Sequence, residues 1–328
     1  TETTDVDQDP LRKLPQVTKI GDFYYDFWSD GLRPRGVWRR TSLAEYSTPE
    51  PAWEEVLSLD ALGQLEGESW VWRGYVLLDE GEGVPKERVM VQLSRGGADA
   101  FVAREFDLRA KAFVMPDDGG FVVPEAKSIV CYRSRSILLV STDFGPGSLT
   151  SSGYPRSVRA WHRGTQLDSA QLVFEGEPND QIVYGYTVQE RGGYAFEFLH
   201  RAISFYEVER YVSMDGGESF MPLKLPMDAE LLTFRDNLLL RLGEDFAPIK
   251  EEKPFRSGSL LVASAAAVLR GNPGCWTALW EPQADVGAGL PVGATRRFST
   301  LRHVVSTSNH LVLSVLTRVR SSLVVLAP

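Results

Sequence analysis

The sequence predicts an all-β protein, a β-propeller in preference to a β-sandwich, and three observations carry that reading. Short apolar or aromatic runs alternate with turns of Gly, Asp, Ser or Pro, and helical periodicity is scarce. The clearest runs are VWRGYVLL (71–78), RVMVQLS (88–94), SILLVST (136–142), YAFEFL (194–199) and HLVLSVL (310–316). They are rich in β-branched and aromatic residues, which suit a pleated, half-buried surface. The runs also gather into groups recurring at roughly 45–55 residues, the period of a four-stranded blade packed face to face on its neighbours. A pair of β-sandwiches has a similar texture, and the spacing is what favours the propeller.

In chain order the groups fall near 17–60, 69–115, 125–176, 181–225 and 228–282, followed by a partial group at 297–328 with three strands. Residues 1–16 form an acidic lead-in that is expected to be flexible. Helix is confined to two places. LSLDALGQLEG (57–67) predicts a short helical turn, and SAAAVLRG (264–271) predicts another, ended by Gly271.

Composition bounds the function. With 328 residues, 43% hydrophobic and 24% charged, the chain has ordinary globular values and can bury a sizeable core. Its length fits two average domains or one propeller. A net charge of −9 repels phosphate backbones and anionic lipid, so neither nucleic acid nor a membrane is an expected partner. The local basic run Arg33, Arg35, Arg39 and Arg40 reads as a solvated strand face. Cys131 and Cys275 lie far apart and lack metal-ligand spacing, so they read as small core hydrophobes, with no disulfide framework, no metal site and no cofactor implied. The most apolar stretch, SGSLLVASAAAVL (257–269), is too short and too interrupted for a membrane span. The chain opens on Thr1 without a signal peptide's basic and apolar regions, so it is expected to be a processed or excised piece. The cytoplasm is the expected compartment, with the periplasm as the alternative.

Catalytic signatures are missing from the sequence. The nucleophile elbow G-x-S-x-G is absent: Gly67-Glu68-Ser69 and Gly217-Glu218-Ser219 begin one, but Val71 and Met221 stand where the closing Gly belongs. His162, His200, His303 and His310 form no metal-binding pair, and no phosphate-cradling loop is present. RGGADA (95–100) and FGPGS (144–148) read as tight turns. SMDGGESF (213–220) matches the Asp-box of sialidase blades once. Its physics is that of a hairpin turn, with Asp215 bonding backbone amides, Gly216 and Gly217 at positive φ, and Phe220 packed beneath. Trp28, Trp38, Trp53, Trp70, Trp72 and Trp161 are assigned to packing between sheets.

Six long strings stand in order along the chain: DFYYDFWSDGLRPRGVWRRTSLAEY (22–46), PAWEEVLSLDAL (51–62), ESWVWRG (68–74), VQLSRGGADAFVAREFDL (91–108), STDFGPGSLTSSGYPRSVRAWHRGT (141–165) and TLRHVVSTSNHLVLSVLTRVRSSLVVLAP (300–328). Together they resemble the amino-terminal propeller of the prolyl oligopeptidase family of serine peptidases, bacterial type. The resemblance implies a seven-bladed propeller of which about five and a half blades are present. It further implies a non-catalytic domain that gates short peptides, often cut after proline, into an α/β-hydrolase active site. The Ser, Asp and His of that site are expected in a hydrolase domain outside this chain, so no catalytic residue transfers and the chain alone is expected to be inactive. Short peptides and an intramolecular hydrolase domain are the implied partners. By position, Thr142, Asp143 and Phe144 in the third blade and His200 and Arg201 in the fourth are candidates to line the substrate cavity, Arg201 foremost because a guanidinium bonds carbonyls and carboxylates. Two alternatives remain beside it: a free-standing propeller used as an interaction module and, on SMDGGESF alone, a glycosidase propeller.

Overall fold

The computed structural model describes residues 14–283 and 299–327. They fall into two compact units, one running to Leu78 and again over Pro85–Lys127, the other holding Asp79–Val84 and the chain from Ser128 onward. Most of the lead-in expected over 1–16, and the first two residues of the group at 297–328, lie outside the described residues.

The first unit contains two antiparallel sheets. The first is a meander of β1 (Thr18–Ile20), β2 (Phe23–Trp28), β3 (Val37–Ser42) and β4 (Glu54–Ser58). The second holds β5 (Trp70–Leu77), β6 (Arg88–Arg95), β7 (Phe101–Asp107), β8 (Ala112–Phe113) and β9 (Val122–Ala126). Both β8 and β9 pair with β7. The second group therefore ends at Ala126 rather than near 115. Gly119, at φ 79°, and Gly120, whose position leaves no room for a Cβ beside the Val114 carbonyl, turn the chain back along β7.

Two helices flank the first sheet. α1 (Leu43–Tyr46) is one turn, and α2 (Leu59–Glu66) is the helix predicted at 57–67. Ser58 Oγ accepts from Ala61 N at α2's start, and Gly67 at φ 69° ends it.

Between the two sheets Tyr25 and Trp38 meet Trp72 and Tyr75, with Phe27 stacked on Trp72 at 5.0 Å and Trp38 at 5.2 Å from Trp72. Trp38, Trp70 and Trp72 thus pack between sheets as expected. Trp28 and Trp53 do something else. Each ring centroid lies 4.2 Å from the Arg39 guanidinium, while Asp26 Oδ2 accepts from Arg39 Nε at 3.1 Å and from its terminal nitrogen at 2.8 Å. Arg39 is buried, so the solvated strand face read from the basic run is wrong at that residue. Its neighbour Arg40 is likewise held, by Glu54, the Tyr25 hydroxyl and the Leu108 carbonyl. Carboxylates opposite or near them in the sheet, together with the indole faces, repay the desolvation of these cations.

The second unit contains four sheets, again meanders in chain order. The third sheet is β10 (Ile129–Ser134), β11 (Ile137–Ser141), β12 (Ser157–His162) and β13 (Gln171–Glu175). The fourth is β14 (Ile182–Gln189), β15 (Ala195–Ala202), β16 (Val208–Ser213) and β17 (Met221–Leu223). The fifth is β18 (Glu230–Phe234), β19 (Asn237–Arg241), β20 (Leu260–Ser264) and β21 (Thr277–Trp280), with α3 (Ala265–Leu269) where the second helix was predicted. The sixth is β22 (Thr300–Ser306), β23 (Leu311–Thr317) and β24 (Arg320–Leu326). Among the described residues there are thus six sheets, the last of three strands.

Apolar clusters join successive sheets of this unit. Leu139, Val158, Val183 and Leu199 lie between the third and fourth, Phe196, Phe198, Leu238 and Leu261 between the fourth and fifth, and Leu239, Leu260, Leu311 and Leu313 between the fifth and sixth. Side chains alternate along β14 to serve both neighbours. Gly185 faces the third sheet, where an added Cβ would stand 3.0 Å from Val158 Cγ1, while Tyr186 and Val188 pack into the cluster shared with the fifth. Both cysteines are free, and burial pushes the Cys131 thiol upward in pKa.

An ion pair with a buried carboxylate fastens the third sheet to the fourth. Arg133 of β10 donates Nε to Glu197 Oε2 of β15 at 2.7 Å and its terminal nitrogen to Oε1. Gly217, in the turn after β16, lies so close that a Cβ there would collide with the Arg133 guanidinium and stand 3.0 Å from Glu197 Oε1. Its neighbour Gly216, at φ 77°, has open space around it. Gly216→Ala therefore costs only left-handed backbone strain, about 1–2 kcal/mol. Gly217→Ala adds displacement of the charge paired with a buried carboxylate and is expected to cost at least about 1 kcal/mol more. Urea midpoints at unchanged slope measure the difference.

Candidate functional site

The residues singled out from the sequence sit where strands of the third and fourth sheets give way to connections. The segment after β11, residues 142–156, meets the segment before β14: Ser151 N donates to Pro178 O at 2.7 Å, Thr150 Oγ1 to Gln181 O at 3.3 Å, and Val183 N to Pro155 O at 2.9 Å. Gln181 N in turn donates to Ala202 O at the end of β15. Both connections and the end of β15 thus form one surface.

Three of the five candidates follow β11. Thr142 is buried, and its hydroxyl shares a 2.6 Å hydrogen bond with Ser128 Oγ at the head of β10. Asp143 is exposed and organises its own turn, Oδ1 accepting from Gly145 N at 2.8 Å and from Ser148 Oγ at 3.0 Å. Phe144 is half-buried, with the Arg159 guanidinium 4.1 Å from its ring centroid. Asp143 and Phe144 therefore offer a carboxylate edge and an aromatic face at the surface, while Thr142 supports them from beneath.

His200 and Arg201 are adjacent in sequence and lie on opposite faces of β15. Arg201 falls on the face with Val183 and Glu209. Its Nε and one terminal nitrogen grip Asp180 at 2.7 and 3.1 Å, and the other reaches Glu209 Oε2 at 3.3 Å. The guanidinium nearby holds the Asp180 carboxyl below the usual range, together with an amide bond from Glu177, against the opposing effect of desolvation. A fork already paired this way fixes the 176–181 connection to β15.

His200 instead joins a polar cluster inside the unit. Tyr184 stands directly opposite it in the β14–β15 register and Arg210 opposite it in β15–β16. The Tyr184 hydroxyl lies 3.0 Å from His200 Nδ1 and the Tyr186 hydroxyl 3.3 Å from Nε2. A neutral imidazole donates through one nitrogen and accepts through the other, so it satisfies both phenols at once. Burial, with the Arg210 charge adding to it, pulls the His200 imidazole down to about 4. Arg210 itself is buried against carbonyls, donating to Ala229 O at 2.7 Å and Met227 O at 3.2 Å. Both ring nitrogens of His200 are thus committed to tyrosine hydroxyls.

Sequence reasoning missed Asp180, Glu209, Tyr184, Tyr186 and Arg210. The alternation Tyr184-Gly185-Tyr186 within a strand was the one available signal, since it puts two phenols on one face. Asp215 behaves as read: Oδ1 accepts from Glu218 N and Ser219 N at 3.1 Å and from Ser213 Oγ at 2.5 Å, and Ser219 Oγ bonds Oδ2. Those bonds draw its pKa far down and leave the carboxylate serving its own turn. Among the described residues no group of His, Cys, Asp and Glu is placed to hold a metal, and no helix is long and apolar enough to cross a membrane.

No family model matches the chain. It is similar to an uncharacterized peptidase of Sinorhizobium fredii, 29% identical over 302 residues, 90% of this chain and 39% of the relative. A second uncharacterized peptidase, from Rickettsia prowazekii, is 25% identical over 278 residues, 80% of this chain and 37% of the relative. Among solved structures, a post-proline cleaving enzyme from Rickettsia typhi superposes with a TM-score of 0.80 at 22% identity, over 97% of this chain and 47% of that one. A prolyl endopeptidase, from a pair studied for inter-domain dynamics in catalysis and specificity, gives 0.65 at 12% identity over 94% of this chain and 40% of that one. Oligopeptidase B from Leishmania major gives 0.60 at 11%, over 95% and 38%. The fold is therefore a β-propeller of the prolyl-oligopeptidase kind, and the resemblance read from the sequence strings stands. The chain spans about two fifths of the length of the curated relatives it matches.

The His200 cluster sets a pH dependence. Unfolded chain protonates this histidine as pH falls below about 6.5, whereas the folded chain protonates it only near about 4. Between those values the unfolded state binds more protons, so stability falls as pH is lowered through the window. His200→Gln, whose amide still donates and accepts, is expected to flatten the unfolding midpoint across that window in a thermal series.

Proposed function

We propose that this chain is the propeller part of a serine oligopeptidase and that it selects short peptides for an α/β-hydrolase site carried elsewhere in the same polypeptide. The single observation that carries the reading is the Rickettsia typhi superposition, which extends over 97% of the chain at a TM-score of 0.80. The similarity to peptidases at the sequence level supports it independently.

In this reading the hydrolase domain supplies the nucleophile, base and oxyanion donors, and this chain supplies a rigid wall. Sheets clamped by apolar clusters and an ion pair cannot open for a folded protein, while an extended peptide passes. The surface formed by residues 142–156, 176–181 and the end of β15 is where the chain meets the peptide and the hydrolase domain. Asp143 and Phe144 contact the peptide away from the scissile bond. Arg201 acts through Asp180, holding the 176–181 connection in place.

One surface feature supports a covering domain at this end. The β15–β16 hairpin exposes Phe205 and Tyr206 at 83% and 82% of their full areas. The hairpin itself is fixed: Ser204 Oγ accepts from Tyr206 N and Glu207 N at 3.2 Å, and Ile203 N donates to Glu207 O at 2.9 Å. Adjacent large rings held rigidly in water mark a contact surface.

The test is an assay of the polypeptide that carries this chain, using proline-containing substrates graded from short peptides to a folded protein. Short peptides are expected to be cleaved, long and folded ones to resist, and a serine-directed inhibitor to stop turnover; the chain alone is expected to be inactive. Cleavage by the chain alone, abolished by that inhibitor, or equal turnover across all lengths, would overturn the proposal.

A further inference from the structure

A second site lies at the other ends of the strands in the same unit, away from the connections just described. Near the final residues of β14, β18 and β22 a cavity of about 330 Å³ opens, at the lower end of the range for small-molecule sites. Its wall is apolar: Tyr186, Phe198, Leu231, Leu239, Val304 and Leu311. Phe198, Leu239 and Leu311 are fully buried members of the clusters between sheets, so that wall is fixed by the core.

Against this apolar wall stands one carboxylate. Glu190, just past β14, lines the cavity with Thr233 and Ser306. Thr233 Oγ1 donates to Glu190 Oε1 at 2.6 Å, and Arg235 N donates to Oε2 at 3.0 Å. The two bonds set the carboxylate in one orientation and use one acceptor position on each oxygen, leaving a further position on each. The Arg235 guanidinium is directed to Ser308 O and Asn309 Oδ1, at 3.3 and 2.9 Å. The cavity thus pairs an apolar body with a fixed negative charge at one end, and charge complementarity selects the ligand.

We infer that this cavity binds an ammonium group carried on a compact apolar body, with the ammonium on Glu190 and the apolar part against Tyr186, Leu231 and Leu239. Two sources share that chemistry: a free aliphatic or arylalkyl amine, and the first residue of a peptide with an apolar side chain and a free amino terminus. The site uses none of the residues assigned to peptide gating, and binding is read without peptidase activity.

The experiment is a calorimetric titration of the whole chain with phenylethylammonium, its neutral isostere phenylethanol, and phenylpropionate. A charge-assisted hydrogen bond predicts that the ammonium binds tighter than the alcohol by about tenfold or more, and that the carboxylate does not bind. Glu190→Gln is expected to bring ammonium and alcohol to equal affinity. Leu231→Phe, which fills the cavity, is expected to weaken both while the unfolding midpoint is kept. Phe-Gly and N-acetyl-Phe-Gly separate the sources: tight binding of the free dipeptide alone assigns a peptide amino terminus, and binding of the amine without the dipeptide assigns a free amine. Equal affinity for ammonium and alcohol, unchanged binding in Leu231→Phe, or no binding of any probe would overturn the inference.

Discussion

A four-stranded antiparallel meander with apolar side chains on both faces cannot leave either face in water, and the structure follows from that constraint. In the second unit the fourth and fifth sheets each hand one face to the sheet before and the other to the sheet after. β14 shows the consequence at the level of single residues. A glycine lets Val158 and Leu199 close in on one side, and on the other stand Tyr184 and Tyr186, the latter packed into the cluster shared with the fifth sheet. Those tyrosines bring hydroxyls into the interior, and a buried hydroxyl needs a partner. His200 supplies two acceptor or donor positions in one ring, which is why it is neutral and lies under Tyr184 and Tyr186.

The same constraint separates packing from function. Strand interiors are consumed by the stacking, so exposed polar chemistry collects at strand ends. Arg201 and Asp180 show the boundary between these roles. Sitting at the last positions of β15 and in the turn before β14, they have charge enough to bind a ligand, yet they bind one another. Asp143, one turn beyond β11, keeps one carboxylate oxygen clear of the turn it organises. Glu190 is the counterpart at the opposite strand ends: its two bonds fix it in place without pairing its charge.

The fold class was legible because β-branched and aromatic runs are short, are punctuated by turn residues and recur at blade spacing. The helix at Leu59–Glu66 was legible for a local reason, since Ser58 caps it and Gly67 ends it. What stayed hidden depended on pairing between strands. Arg39 looks like part of a basic surface run until Asp26, Trp28 and Trp53 are brought around it, from before it in the meander and after it. β9 falls mostly in the gap between the groups at 69–115 and 125–176, because nothing in its residues says that β7 has a second partner edge. At the candidate site Thr142, Asp143 and Phe144 were chosen by position alone, and the division of His200 and Arg201 between opposite faces required the register of β15. Asp180 carried no sequence signal, being one acidic residue among many.

Amide hydrogen exchange of the polypeptide that carries this chain, with and without a proline-containing peptide aldehyde that traps a serine peptidase, tests the gating role most directly. Slower exchange over residues 142–156 and 176–181 on binding is the predicted result. Unchanged exchange there, with protection confined to segments outside this chain, would contradict it.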